Sequence, residues 1–153
     1  MATTTATMQP NIRRILVPHD FSETAESALS FALGLARSLD ASVIVMHAFD
    51  IPAYGFPEAP VMTADLAAQI SQAAQLALDT VVQRAKSSGR TVAGVLRQGT
   101  TWSEINGAAQ DEKADLIVIG THGRRGLSRA LLGSVAEKVV RTSPVPVLTI
   151  RGP

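Results

Sequence analysis

Five short apolar runs, four of them followed by a stretch with helical spacing, constrain this 153-residue chain more than any other feature. The runs are Ile15–Pro18, Val43–Ala48, Thr91–Arg97, Leu116–Ile119 and Val145–Ile150. Between them, apolar residues recur every three or four positions, as on one face of a helix. The order β-α-β-α-β-α-β-α-β, with right-handed crossovers, predicts one open parallel sheet with helices on both faces. Composition agrees. Hydrophobic residues are 46% and aromatics only 4%, so the core must be built from Val, Ile, Leu and Ala, which suits strands buried on both faces.

The helices carry start and stop signals. Ala25, Leu29, Ala32, Ala36 and Leu39 form the inner stripe of the first, with Asp20 or Ser22 placed to cap it. Thr63 can cap a long second helix with Leu66, Ile70, Ala73, Ala77 and Val81 inward, ended by Ser88-Gly89. Thr101-Trp102-Ser103-Glu104 has the form of a capping box, with Trp102, Ile105 and Ala109 on one face. Leu132, Val135 and Val139 mark the last helix. Pro146 cannot donate to a ladder, so the final strand is expected at an edge, where a second copy can pair with it. Asp50 to Met62, with Pro52, Pro57, Pro60 and Gly55, reads as an irregular loop.

Charge and cysteine exclude several function classes. A net charge of +1 gives no field to recruit nucleic acid or an anionic membrane. With no cysteine there is no disulfide framework, thiolate chemistry or Cys-based zinc site. Residues 1–10 lack a signal-peptide core and read as a flexible leader, with residues 11–153 as a single domain. No run approaches the ~18 apolar residues of a membrane helix. The expected location is the cytoplasm.

In open parallel sheets, ligands bind at the carboxyl ends of strands where the winding reverses. The first strand runs into His19-Asp20-Phe21-Ser22, and the fourth into Gly120-Thr121-His122-Gly123-Arg124-Arg125-Gly126. If these strands are neighbours, both loops face one crevice. Gly120 and Gly123 allow a tight turn and close approach to a phosphate. Gly133-Ser134 opens a helix whose free N–H groups and dipole favour an anion. Arg124, Arg125 and Arg129 either touch phosphates or raise the local potential. The loop is neither a Walker A motif nor a Rossmann fingerprint, which belongs in the first β-α turn.

At these residues the chain resembles the universal stress protein family. Gly120-x-x-Gly123, nine residues, then Gly133-Ser134 matches that family's ATP-binding pattern, G-2x-G-9x-G-[ST]. Ile15-Leu16-Val17-Pro18-His19-Asp20-Phe21-Ser22 matches its opening. Leu131-Leu132-Gly133-Ser134-Val135-Ala136-Glu137 and Pro144-Val145-Pro146-Val147-Leu148 match its close. The likeness covers about residues 11 to 151. It implies a five-stranded Rossmann-like sheet of order 3-2-1-4-5, of the adenine nucleotide α-hydrolase-like kind, and a homodimer joined through the last strands.

The resemblance also implies site roles. Pro18 and Asp20 would line the adenosine end, and Ala48 would contact adenine through its backbone. Ile119 and Gly120 would pack on the nucleoside, while Gly123, Gly133, Ser134 and Val135 would hold the phosphates. His122, inside the loop, is the histidine best placed for a functional role, whereas His19 reads as exposed and His47 as a hydrogen-bonded structural residue. Tyr54 and Phe56 read as scattered loop residues or as a lid over adenine. Trp102 reads as core. The expected ligand is ATP, with any Mg2+ bound chiefly through the phosphates.

Three functions remain open on these grounds: a dimeric nucleotide-dependent regulatory or stress-response module with unidentified protein partners, a slow ATPase or autophosphorylating enzyme, and a nucleotide-independent chaperone-like protein. No general base is evident beside the phosphate loop, and Asp20 is expected at the other end. A binding module is therefore favoured over a catalyst.

Overall fold

The computed structural model describes residues 10–51, 64–122 and 132–153. The leader through residue 9, the loop residues Tyr54 and Phe56, the cap Thr63, and Gly123 with Arg124, Arg125 and Arg129 lie outside the described residues.

Among the described residues nine elements alternate as expected: β1 (Arg14–Pro18), α1 (Glu23–Leu39), β2 (Ser42–Phe49), α2 (Ala64–Lys86), β3 (Val92–Gln98), α3 (Thr101–Asp111), β4 (Leu116–Gly120), α4 (Ser134–Thr142) and β5 (Val147–Ile150). The strands form one sheet of order β3-β2-β1-β4-β5, every pair parallel. This is the doubly wound order in which the direction of winding reverses between β1 and β4.

The pleat sorts the core into two layers. Ile15 and Val17 of β1, Val43 and Val45 of β2, and Leu116 and Val118 of β4 pack with Ala28, Leu29 and Ala32 of α1 and Leu78 and Val81 of α2. Their neighbours Leu16, Ile44, Met46, Ile117 and Ile119 point the other way, onto Ile105 and Ala109 of α3 and Ala136 and Val139 of α4. A period of two on strands buried on both faces leaves no polar side, which is why these runs are continuously apolar. Asp115 helps set the β1–β4 pairing, because one carboxylate oxygen accepts from the amides of Arg13 and Arg14 at 2.8 and 2.9 Å. Trp102 packs against the α3–α4 layer, with the Lys138 ammonium 5.4 Å from its ring centre.

Several local expectations change. Ser22, not Asp20, caps α1, its hydroxyl accepting from the Ala25 amide at 3.2 Å. Leu39 lies exposed at the end of that helix. In α2 the buried stripe is Leu78, Val81, Val82 and Ala85, while Leu66 and Ala73 are exposed. At 3.6 residues per turn, those two sit roughly 120–140° around the helix from Leu78. The capping box at Thr101 does not form: the N-cap is Thr100, without a side-chain bond, and Glu104 turns instead to Arg97, 3.0 Å away. Leu132 precedes α4 and is exposed. Pro146 lies just before β5, and its carbonyl accepts from the Ile117 amide at 3.0 Å. The strand it introduces is an edge of the sheet.

Candidate functional site

Where β1 and β4 diverge, a cleft of about 760 Å³ opens at their carboxyl ends. That volume is in the range of small-molecule sites. Pro18 lines it from the end of β1, Asp20 from the turn that follows and Ala48 from β2. Ile119 and Gly120 line it from β4, His122 from just beyond that strand, and Gly133, Ser134 and Val135 from the start of α4. Nine of the ten predicted positions thus share one cavity, and Gly123 is outside the described residues.

The turn after β1 is built by consecutive side-chain acceptors. The Phe21 amide donates to His19 Nδ1 at 3.1 Å, and the Ser22 amide to Asp20 Oδ1 at 3.0 Å. The Ala25 amide then donates to Ser22 Oγ. Each amide lies before or at the start of α1, where the helix supplies no carbonyl. The turn brings Phe21 to φ 66°, a left-handed conformation unusual for a side chain of this size. Such a conformation costs about 1–3 kcal/mol and persists because its surroundings hold it.

His19 departs from the sequence expectation: it is 3% exposed. Its amide continues the sheet by donating to the Met46 carbonyl at 2.8 Å, and its own carbonyl lies 2.7 Å from His47 Nδ1. Glu26 of α1 and Arg84 of α2 form an ion pair, and Glu26 Oε1 lies 3.3 Å from His19 Nε2. These long-range neighbours bury a residue that, from its place at a strand end, reads as exposed. Burial holds the imidazole below the ordinary histidine value, against the pull of the Glu26 and Asp20 carboxylates. His47 is hydrogen-bonded, as its position in the sequence suggested.

The opposite wall is made by β4 and α4. Gly133 caps α4 without a side-chain bond and donates its amide to the Thr121 carbonyl at 2.6 Å. The amides that follow it belong to the first helical turn, whose N–H groups have no intrahelical acceptors and carry the positive end of the dipole. A Cβ on Gly133 would sit 2.9 Å from the Thr121 oxygen. A Cβ on Gly120 would meet Thr24 Cγ2 at 2.7 Å, so this glycine makes room for α1 as well as for the cleft. His122 Nδ1 lies 2.9 Å from Thr121 Oγ1, and its buried Nε2 meets no acceptor or donor among the described residues.

Thr121, Thr101 and Glu137 also line the cleft and were given no site role from the sequence. Thr121 stood inside the glycine pattern, at one of its free positions. Thr101 and Glu137 reach the cleft only because α3 and α4 cover the same face as β4. Among the described residues, no group of three or more His, Asp or Glu side chains is arranged to hold a metal ion. No helix among them is long and apolar enough to cross a membrane.

These features define an open α/β protein with a cleft at its topological switch point. Residues 11–151 match the universal stress protein family, and the chain belongs to that family. A universal stress protein of Methanocaldococcus jannaschii is 34% identical over 142 residues, spanning 92% of this chain and 83% of that protein. The universal stress protein UspA from Lactobacillus plantarum superposes with a TM-score of 0.77 at 27% identity, over 92% of this chain and 98% of that one. A universal stress protein in complex with cAMP superposes with a TM-score of 0.68 at 25% identity, over 92% and 97% of the two chains.

Proposed function

We propose that this universal stress protein binds ATP in the β1–β4 cleft and works as a dimeric, nucleotide-dependent regulatory module. One observation carries the reading: all the described residues that the family resemblance assigns to nucleoside and phosphates line a single cavity. Asp20, Pro18 and Ala48 form the nucleoside end, and Gly133, Ser134 and Val135 with the α4 dipole form the phosphate end. Gly123 completes the phosphate loop, and Mg2+ is carried by the phosphates. The cAMP complex of a relative supports an adenine nucleotide as the ligand class.

The edge of β5 is the proposed dimer seam. Pro146 and Ile150 turn their carbonyls toward β4, so the alternate residues Val147 and Thr149 present their backbone outward. Thr149→Pro removes an outward donor without touching the β4 ladder. It is expected to yield monomers in sedimentation, and an unchanged mass would refute the seam.

The direct test of the site begins with protein purified without added nucleotide. Denaturation should release an adenine nucleotide, and ATP should bind in calorimetry. Neither event occurring would overturn the assignment. A second reading, slow hydrolysis, is prompted by one feature: Glu137, in the first turn of α4, is among the residues lining the cleft. Its carboxylate lies 3.7 Å from Arg141, one turn further along the helix. Steady ADP production lost in Glu137→Gln would support that reading.

A further inference from the structure

His19 and His47 are held in opposite tautomers by one backbone segment. His47 Nδ1 faces the His19 carbonyl at 2.7 Å and must carry the proton. His19 Nδ1 accepts from the Phe21 amide at 3.1 Å and must be bare. Adding a proton to His47 leaves its bond intact, because the new proton goes to Nε2. Adding one to His19 puts it on Nδ1, where two donors then face each other across the Phe21 turn.

The turn at stake is strained. Phe21 holds φ 66° and packs its ring 4.5 Å from His47 and 5.5 Å from His19. It lies between Asp20, which lines the cleft, and Ser22, which caps α1. The other side of His19 faces a carboxylate. With Nδ1 bare, Nε2 carries the ring proton in both charge states; it lies 3.3 Å from Glu26 Oε1 without hydrogen-bond geometry, and the carboxylate's charge favours the protonated ring. The imidazole therefore has two alternatives: neutral with the turn tied, or charged beside the Glu26 carboxylate with the turn released.

We propose that His19 is a positioning residue of the cleft, whose bare Nδ1 holds the Phe21 turn that presents Asp20, and whose protonation releases that turn and weakens the ligand. The effect on ligand rests on the nucleotide reading above; the tautomer and the turn do not. The groups that face the ring are Glu26 on α1, Arg84 on α2, His47 on β2 and the adjacent Asp20. Burial opposes the charge most, the two carboxylates favour it, and Arg84 and His47 oppose it. The switch thus falls on the acid side of the ordinary histidine value.

The first test uses ligand-free protein and needs no nucleotide. Ring 15N shifts at neutral pH should show a bare Nδ1 in His19 and a protonated Nδ1 in His47. On acidification, the Phe21 amide should shift together with the His19 ring. A protonated Nδ1 in His19 at neutral pH, or a Phe21 amide indifferent to its titration, overturns the proposal. The second test titrates ATP between about pH 5 and 8, across the range in which histidine changes charge. His19→Asn keeps an acceptor for the amide two residues on, as Asn does in an Asx turn, but does not titrate. Wild type should lose about tenfold in affinity relative to His19→Asn on acidification; ATP's own protonation is common to both and cancels. His19→Leu, if folded by circular dichroism, should bind more weakly at neutral pH and lack the His19-dependent acid loss. Parallel profiles for wild type and His19→Asn would overturn the coupling. If ATP fails to bind wild type at any pH, the nucleotide reading falls, and the ring shifts still decide the role of His19 in the turn.

Discussion

The Gly133 amide donates to the Thr121 carbonyl oxygen at 2.6 Å, which fastens the start of α4 to the chain leaving β4. The bond fixes the distance between the two parts of the glycine pattern. A Cβ at Gly133 would lie 2.9 Å from the same oxygen. The glycine is therefore set by this approach and not by its backbone angle, since φ is −61°.

Gly133→Val should push α4 away from β4 and spoil the phosphate end. ATP affinity is expected to fall at least tenfold, about 1.4 kcal/mol, in calorimetry on protein that still folds. An unchanged affinity in the folded variant would refute the phosphate assignment.

Gly120→Ala tests a different contact. The new methyl meets Thr24 Cγ2 at 2.7 Å and the Thr24 backbone at 3.1 Å. Overpacking of this kind costs about 1–3 kcal/mol. Thr24→Ser removes Cγ2 and should recover part of that loss in urea unfolding. Additive losses in the double variant would mean that the two residues do not press on each other.

Asp20→Ala should weaken ATP several-fold more than it weakens inorganic phosphate, because Asp20 is assigned to the nucleoside end. Competition binding measures both. Equal losses would indicate that the change only loosens the turn through the lost Ser22 bond.

Leu78→Ala removes the fully buried side chain by which α2 is anchored to its face of the sheet. Its cost should be about 2–5 kcal/mol in denaturant unfolding, as for other large-to-small core changes. Leu66→Ala, on the exposed part of the same helix, should cost far less.

Stability should also fall with acid through His19. Its folded value is depressed below the ordinary 6.5, so the unfolded chain takes up the proton first. The contribution is complete above about 6.5 and is lost as pH falls toward the folded value. In His19→Asn this part of the pH dependence of the melting temperature should vanish. An unchanged slope would place the acid sensitivity elsewhere.

The sequence determined the alternation of elements, the apolar strand centres and the glycine pattern, because these depend on periodicity and on contacts local to the chain. Ile15 to Val17 and Leu116 to Ile119 are buried on both faces wherever the sheet places them. Tertiary structure alone decided where α2 is buried: of the expected stripe Val81 faces the sheet, with Leu78, Val82 and Ala85 beside it, while Leu66 and Ala73 stay exposed. It decided that Glu104 serves Arg97 instead of its own helix end, because a charged partner on β3 outcompetes a local amide. It decided that Gly120 must accommodate Thr24. It decided the burial of His19 as well: Met46, Glu26 and Arg84 come to it from three other elements. A strand-end histidine reads as exposed until the residues that cover it are brought together in space.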